Sequence, residues 1–202
     1  EGIPVKCPIT VSNDSTAAGY VEQYAFSVHE RNKTFAYLFL ESGVGGAIFI
    51  DGKPYYGSNR RSGEFGHMQV GSDGLVCACG KKDCLEAYVG AGRFSKNLGI
   101  TVENFFEEVK AGNKIYAALW KDGLRHLAIG INTIRRNFDC DIVIGGSMTE
   151  YLEDYMGYIK EELSRLDTFG DEVDYIHIGN SARRAVVVGL TNHLLTSYLE
   201  NL

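Results

Sequence analysis

The stretch from Gly63 to Glu86, GEFGHMQVGSDGLVCACGKKDCLE, decides how this chain is read. As far as Lys82 it shows neither the ~3.6-residue period of a helix nor the alternation of a strand. Residues 58–82 as a whole are rich in Gly, Ser, Cys and charge. An irregular connection of that length is rare in a compact domain unless it is functional or cross-linked. Cys77, Cys79 and Cys84 lie within eight positions, and His67 precedes Cys77 by ten. Three thiolates and an imidazole can close the tetrahedral shell that Zn²⁺ takes at ~2.0–2.3 Å, and a metal would supply the missing cross-link. Two alternatives stay open: three unconnected thiols, or a Cys79–Cys84 disulfide, which a reducing compartment disfavours. The spacing also differs from the paired CxxC knuckles of common zinc folds. Cys7 and Cys140 fall in expected strands and read as small buried apolar residues.

Upstream of this stretch, a strand is expected over residues 5–11. Asn13-Asp14-Ser15-Thr16 then offers helix-capping chemistry ahead of a helix over 17–26. A polar turn over 29–33 leads to a strand over 34–40, the glycines Gly43, Gly45 and Gly46, a strand over 47–50 and a turn at Asp51-Gly52, which together read as antiparallel strands around a glycine-rich bend. Downstream, helices are expected from Leu85, over 102–110 and over 114–137, the last with Leu119, Leu127, Ile131 and Ile134 at helical spacing. A strand over 140–144 ends in Gly145-Gly146-Ser147, followed by a helix over 150–166, a strand over 175–178 and a helix over 182–199. This alternation of β and α predicts an α/β fold with parallel strands flanked by helices.

The chain has 202 residues, 45% hydrophobic and 23% charged, which fits one folded α/β unit. Its net charge of −6 gives no drive towards nucleic acid or anionic lipid, and the pairs Arg60-Arg61, Arg135-Arg136 and Arg183-Arg184 are too isolated for a DNA footprint. No apolar run approaches the ~20 residues of a membrane span and no signal segment opens the chain, so no membrane partner and a cytoplasmic location are expected. Glu rather than Met at position 1, with a strand-like segment over 5–11 beginning almost at once, reads as a cut through a longer protein.

Glu64-Phe65-Gly66-His67 and Cys77-Ala78-Cys79-Gly80 with Cys84-Leu85-Glu86 match the E-x-G-H and C-x-C-G-x-x-x-C-x-E elements of the ROK family of repressors, open reading frames and kinases. Asn13-Asp14, Gly43-Val44-Gly45-Gly46 and Gly145-Gly146 follow in the family's order, so the chain resembles this family over essentially its whole length. The resemblance implies the actin-like, ribonuclease H-like ATPase fold, with residues 1–202 as the larger carboxy-terminal lobe and a zinc-bound loop. The amino-terminal D-x-G-G-T lobe and any helix-turn-helix domain are expected outside it. It implies a structural zinc on His67, Cys77, Cys79 and Cys84. It also implies a sugar site of Asn13, Asp14, Glu64, His67 and Glu86, whose amide and carboxylates suit sugar hydroxyls.

In the family's kinases Asp14 would be the general base, with ATP/Mg²⁺ phosphates cradled by loops that match Ser42, Gly43, Gly45, Gly46, Gly145 and Gly146 here. The kinase pattern G-T-G-x-G-G reads Glu41-Ser42-Gly43-Val44-Gly45-Gly46. A carboxylate replaces a glycine and weakens phosphate binding, unless Glu41 points to solvent or pairs elsewhere. A degenerate loop beside an intact zinc loop resembles the family's transcriptional regulators. The expectation is therefore an effector-binding lobe that takes a sugar or sugar phosphate, with operator DNA bound only through an amino-terminal domain. The alternatives are the large lobe of a ROK sugar kinase, or a non-catalytic carbohydrate- or protein-binding module. A homo-oligomer, most simply a dimer, is expected because the final helix is apolar around much of its circumference.

Overall fold

Strand β1 (Phe35–Leu40) is the centre of the molecule, and its alternation builds both halves of the core. Ala36, Leu38 and Leu40 join the larger apolar cluster on one face, while Phe35, Tyr37 and Phe39 join a smaller one on the other. All six residues are buried, as expected for a strand covered on both faces. In the computed structural model, which describes residues 9–27, 34–170, 172–180 and 184–199, β1 pairs antiparallel with β2 (Val44–Ile50) and parallel with β4 (Asp141–Gly145). β3 (Lys53–Pro54) extends the β2 side and β5 (Ile176–Ile178) runs parallel to β4, giving the order β3-β2-β1-β4-β5.

Helices α1 (Asp14–Ser27) and α7 (Ala185–Leu199) pack together on the face of the smaller cluster. The crossing is close: a Cβ on Gly189 would stand 1.9 Å from the Ala17 carbonyl oxygen. The opposite face carries α2 (Leu85–Val89), α3 (Ala91–Phe94), α4 (Val102–Lys110), α5 (Lys114–Phe138) and α6 (Met156–Leu166). The Asn113 side chain caps α5 by accepting from the Ile115 N–H. From there Trp120, Leu124, Leu127, Ile131 and Ile134 form the buried stripe of a helix with one apolar face.

The expected helix over 150–166 is shorter than its periodicity suggests. Two 3₁₀ turns (Ser147–Tyr151 and Glu153–Tyr155) precede α6, with Met148 and Leu152 buried in the core, and Tyr155, the last residue of the second turn, is at φ −111°, ψ 2°, so the α-helix starts only at Met156. Of the expected opening strand, residues 5–8 lie outside the described residues, as do Cys7, the turn at 29–33 and Arg183. Residues 9–11 are irregular. No helix among the described residues is long and apolar enough to cross a membrane.

Candidate functional site

The amino-terminal corner of α1 does two jobs. The Asn13 Oδ1 accepts from the Ser15 and Thr16 backbone N–H groups at 3.0 and 3.2 Å, and its carbonyl accepts from Ala17. That caps the helix and leaves the Asn13 amide nitrogen for a ligand. Asp14 accepts from the Ser15 N–H at 2.7 Å and is otherwise exposed, an acid placed where the helix dipole favours it. The buried Ser15 hydroxyl lies 3.0 Å from the Gly46 carbonyl and fastens this corner to the β1–β2 hairpin.

Facing that corner is the E-x-G-H element. Gly46 and Gly66 let it lie on the hairpin backbone to backbone: a Cβ on Gly66 would stand 2.1 Å from the Val44 carbonyl oxygen, and one on Gly46 2.6 Å from that of Gly63. Glu64 precedes the 3₁₀ turn Phe65–His67 without capping it, so its carboxylate is not consumed locally. Asn13, Asp14 and Glu64 line one narrow cleft of ≈ 80 Å³ with Tyr55, Tyr56 and Arg60. Ligand pockets usually measure ~300–1,000 Å³, so these residues form a wall rather than a chamber. The tyrosines and Arg60, whose guanidinium lies 5.8 Å over the Tyr56 ring, carry no motif that sequence reading could use.

The cysteine loop is organised by Asp83. Its carboxylate accepts from the Tyr88 hydroxyl at 2.5 Å and from the Gly74 N–H, and these contacts, Tyr88 first, hold its pKa below the usual range. Gly80, at φ +82°, makes the turn that carries Cys79 towards Cys84. The ligating atoms of His67, Cys77, Cys79 and Cys84 all lie within 4.8 Å of one another, with Cys79 and Cys84 sulfurs 3.6 Å apart and the Cys77 sulfur 3.9 Å from His67 Nδ1. Metal bonds of 2.0–2.3 Å require tetrahedron edges of about 3.3–3.8 Å; the Cys79–Cys84 edge already meets this, and the widest pair would close by about 1 Å around a Zn²⁺ ion, for which three sulfurs and an imidazole are a suitable donor set. The sulfurs are too far apart for a disulfide, whose bond is ~2.05 Å. Burial pushes the Cys84 thiol up to about 12, with Cys79 and Cys77 adding to it, so a cation is needed before all three sulfurs ionise together.

The other two residues of the expected sugar set are placed differently. His67 is exposed beside the cysteines and lines neither cleft described here. Glu86 lines a second pocket of ≈ 410 Å³ with Ser42, Cys77 and Arg93. Its carboxylate accepts from the Val44 N–H at 3.0 Å and lies 3.6 Å from the Cys77 sulfur, so it links the cysteine loop to the hairpin. Gly43 leaves room for this contact: a Cβ there would stand 2.6 Å from Glu86 Oε2 and the carboxylate would have to shift.

Neither solvent nor a lysine takes the Glu41 carboxylate. It accepts from the Ser147 N–H at 2.7 Å and the Ser147 hydroxyl at 2.9 Å, bridging the ends of β1 and β4. Sequence reading also missed Glu22. Its buried carboxylate accepts from the Asn180 N–H at 2.6 Å and side-chain amide at 2.9 Å, and burial raises its pKa despite those bonds.

Comparison with known proteins supplies the remaining findings. The profile of the ROK family matches residues 4–182. An N-acetylmannosamine kinase from Citrobacter koseri is 26% identical over 163 residues, which cover 78% of this chain and 56% of that protein. The chain thus spans little more than half of that relative's length. A ROK family glucokinase from Streptomyces griseus, solved with glucose and AMPPNP, superposes with a TM-score of 0.79 at 23% identity, covering 94% of this chain and 69% of that one. A ROK family transcriptional regulator superposes at 0.68 with 19% identity, covering 90% and 53%. At these identities the structural likenesses show the fold.

Proposed function

Because the chain belongs to the ROK family, we propose that it forms the sugar-binding lobe of an ATP-dependent sugar kinase. The observation that carries this reading is the Asn13–Asp14 corner, where Asn13 takes over the capping and leaves the Asp14 carboxylate exposed in the cleft opposite Glu64. The curated relatives, N-acetylmannosamine kinases, support it and favour an N-acetylhexosamine or hexose as substrate. Asp14 then takes the proton from the attacking sugar hydroxyl as its oxygen bonds to the γ-phosphorus of ATP and ADP leaves with the electron pair. Asn13 and Glu64 hold neighbouring hydroxyls, and Tyr55 and Tyr56 offer apolar surface to the sugar ring. A zinc ion on His67, Cys77, Cys79 and Cys84 supplies a fixed cross-link that holds the E-x-G-H element against the hairpin. The apolar face of α7, with Val187, Leu195, Tyr198 and Leu199 exposed, supports a homodimer.

The test is ATP-dependent phosphorylation of N-acetylmannosamine, N-acetylglucosamine and glucose by the protein in its native length. Transfer to one of them, lost in Asp14→Ala and in the near-isosteric Asp14→Asn, is the expected result. One observation favours the regulator reading instead: Glu41 on Ser147 at the phosphate loops. Sugar binding without any phosphoryl transfer, together with sugar-dependent operator binding, would replace the kinase reading with that one.

A further inference from the structure

The carboxyl ends of the parallel strands β1, β4 and β5 lie side by side at one edge of the sheet. Ligands of open α/β sheets bind outside that edge. In this chain two of its own carboxylates already stand there. Glu41, immediately after β1, takes both donors of Ser147, which lies two residues past β4. Glu22, on α1, accepts from the backbone N–H and the side-chain amide of Asn180, two residues past β5. Each carboxylate satisfies a backbone N–H and a side-chain donor, the pair of contacts an incoming anion would otherwise make. Gly146 holds the approach: at φ +94° its Cβ position lies 2.2 Å from the Leu40 carbonyl oxygen, which leaves Ser147 next to the end of β1 and within reach of Glu41. Glu41 has no lysine or arginine partner among the described ion pairs, so its charge is not cancelled locally.

We infer that Glu41 is a built-in competitor for nucleotide phosphate, a carboxylate that occupies the donor pair of Ser147 and must leave it before a polyphosphate can take its place. The inference rests on the kinase reading for its ligand and goes beyond it in making nucleotide affinity a property that this one residue sets. The competition has two parts. The carboxylate fills the hydrogen bonds, and its charge repels a phosphate oxygen brought close to it. A like charge at such range is worth about tenfold or more in affinity. Glu41→Gly removes both parts, whereas Glu41→Gln removes the charge and keeps the bulk.

The experiment is calorimetric titration of the native-length protein and both variants with Mg²⁺-AMPPNP, after thermal melts have shown which variants fold. Glu41→Gly is expected to bind at least about tenfold more tightly than wild type and Glu41→Gln to fall between them, with sugar affinity unchanged. Should Glu41→Gly fail to fold, tightening in Glu41→Gln alone carries the test. Affinity for AMPPNP that is unchanged, weaker or undetectable in the folded variants overturns the inference. The kinase reading fails separately: tighter AMPPNP binding by the variants with no phosphoryl transfer by any form leaves the Glu41 competition standing and removes the kinase. Transfer by wild type with variants that bind no better does the reverse.

Discussion

Replacing Gly66 with alanine tests whether the E-x-G-H element is held to the hairpin by direct backbone packing. The new Cβ would lie 2.1 Å from the Val44 carbonyl oxygen and 3.0 Å from its carbon. Ordinary contact needs more than a further ångström, and the obstacle is main chain at the start of β2, which has no rotamer to change. The strand and the turn must separate. Overpacking of this kind costs about 1–3 kcal/mol or more, and a backbone obstacle places Gly66→Ala at the upper end. For a chain of this size each kcal/mol moves Tm by roughly 2–4 °C, so a fall of about 6–12 °C is expected. Gly157→Ala is the control. Gly157 sits exposed in α6 with no atom near its Cβ position, and alanine there should raise stability by about 0.5–1 kcal/mol. Thermal unfolding of the two variants and wild type, side by side, gives the answer. A Gly66→Ala protein melting within about 1 °C of wild type would refute the packing argument.

Metal analysis of protein purified without chelator should find about one zinc per chain, and Cys79→Ser should lose it along with protease resistance in the cysteine loop; a metal-free protein with an intact loop defeats the assignment. Glu22 gives a pH signature. Its folded pKa is raised by burial above the unfolded value of ~4.3, so its ionisation opposes folding, and its contribution worsens as pH rises above that value through the folded pKa. The stability of wild type relative to Glu22→Gln should therefore decline from about pH 4 upward until Glu22 is fully ionised in the folded state, and a difference independent of pH would contradict the burial argument. Light scattering at micromolar concentration should show a dimer that Leu195→Glu with Leu199→Glu dissociates; a monomeric wild type rules the α7 contact out.

The local features of this fold were legible because their causes are local. The spacing of Leu127, Ile131 and Ile134 marks α5, and Gly43 marks the bend between β1 and β2, whereas Gly45 and Gly46, expected in the bend, lie inside β2 opposite Phe39 and Leu38. The cysteine loop brings His67, Cys77, Cys79 and Cys84 together because Gly80 and the Asp83 contacts fold it within a few residues. What stayed hidden depends on partners distant in sequence. Nothing near Glu41 announces Ser147, and nothing near Glu22 announces Asn180, because the sheet creates both meetings. Nothing near Glu86 announces the Val44 N–H from which its carboxylate accepts, because the hairpin brings the two together. The 3₁₀ turns before α6 escaped because Met148 and Leu152 are four apart, a spacing that a helix shares.

The central position of β1 also sets a clock for the protein's synthesis. FAYLFL can pair with β2 almost as soon as it is made, but its other edge waits for β4, and Glu41 and Ser147 at the ends of those strands are 106 residues apart. At ~5–20 residues per second, translation leaves that edge open for roughly 5–20 s. For that interval a nascent chain displays an apolar strand with a free row of backbone donors and acceptors, the template on which chains aggregate. The yield of soluble protein should then depend on how fast translation reaches β4 and on what shields β1 meanwhile, so slow codons between the two strands would harm this protein more than slow codons placed after them.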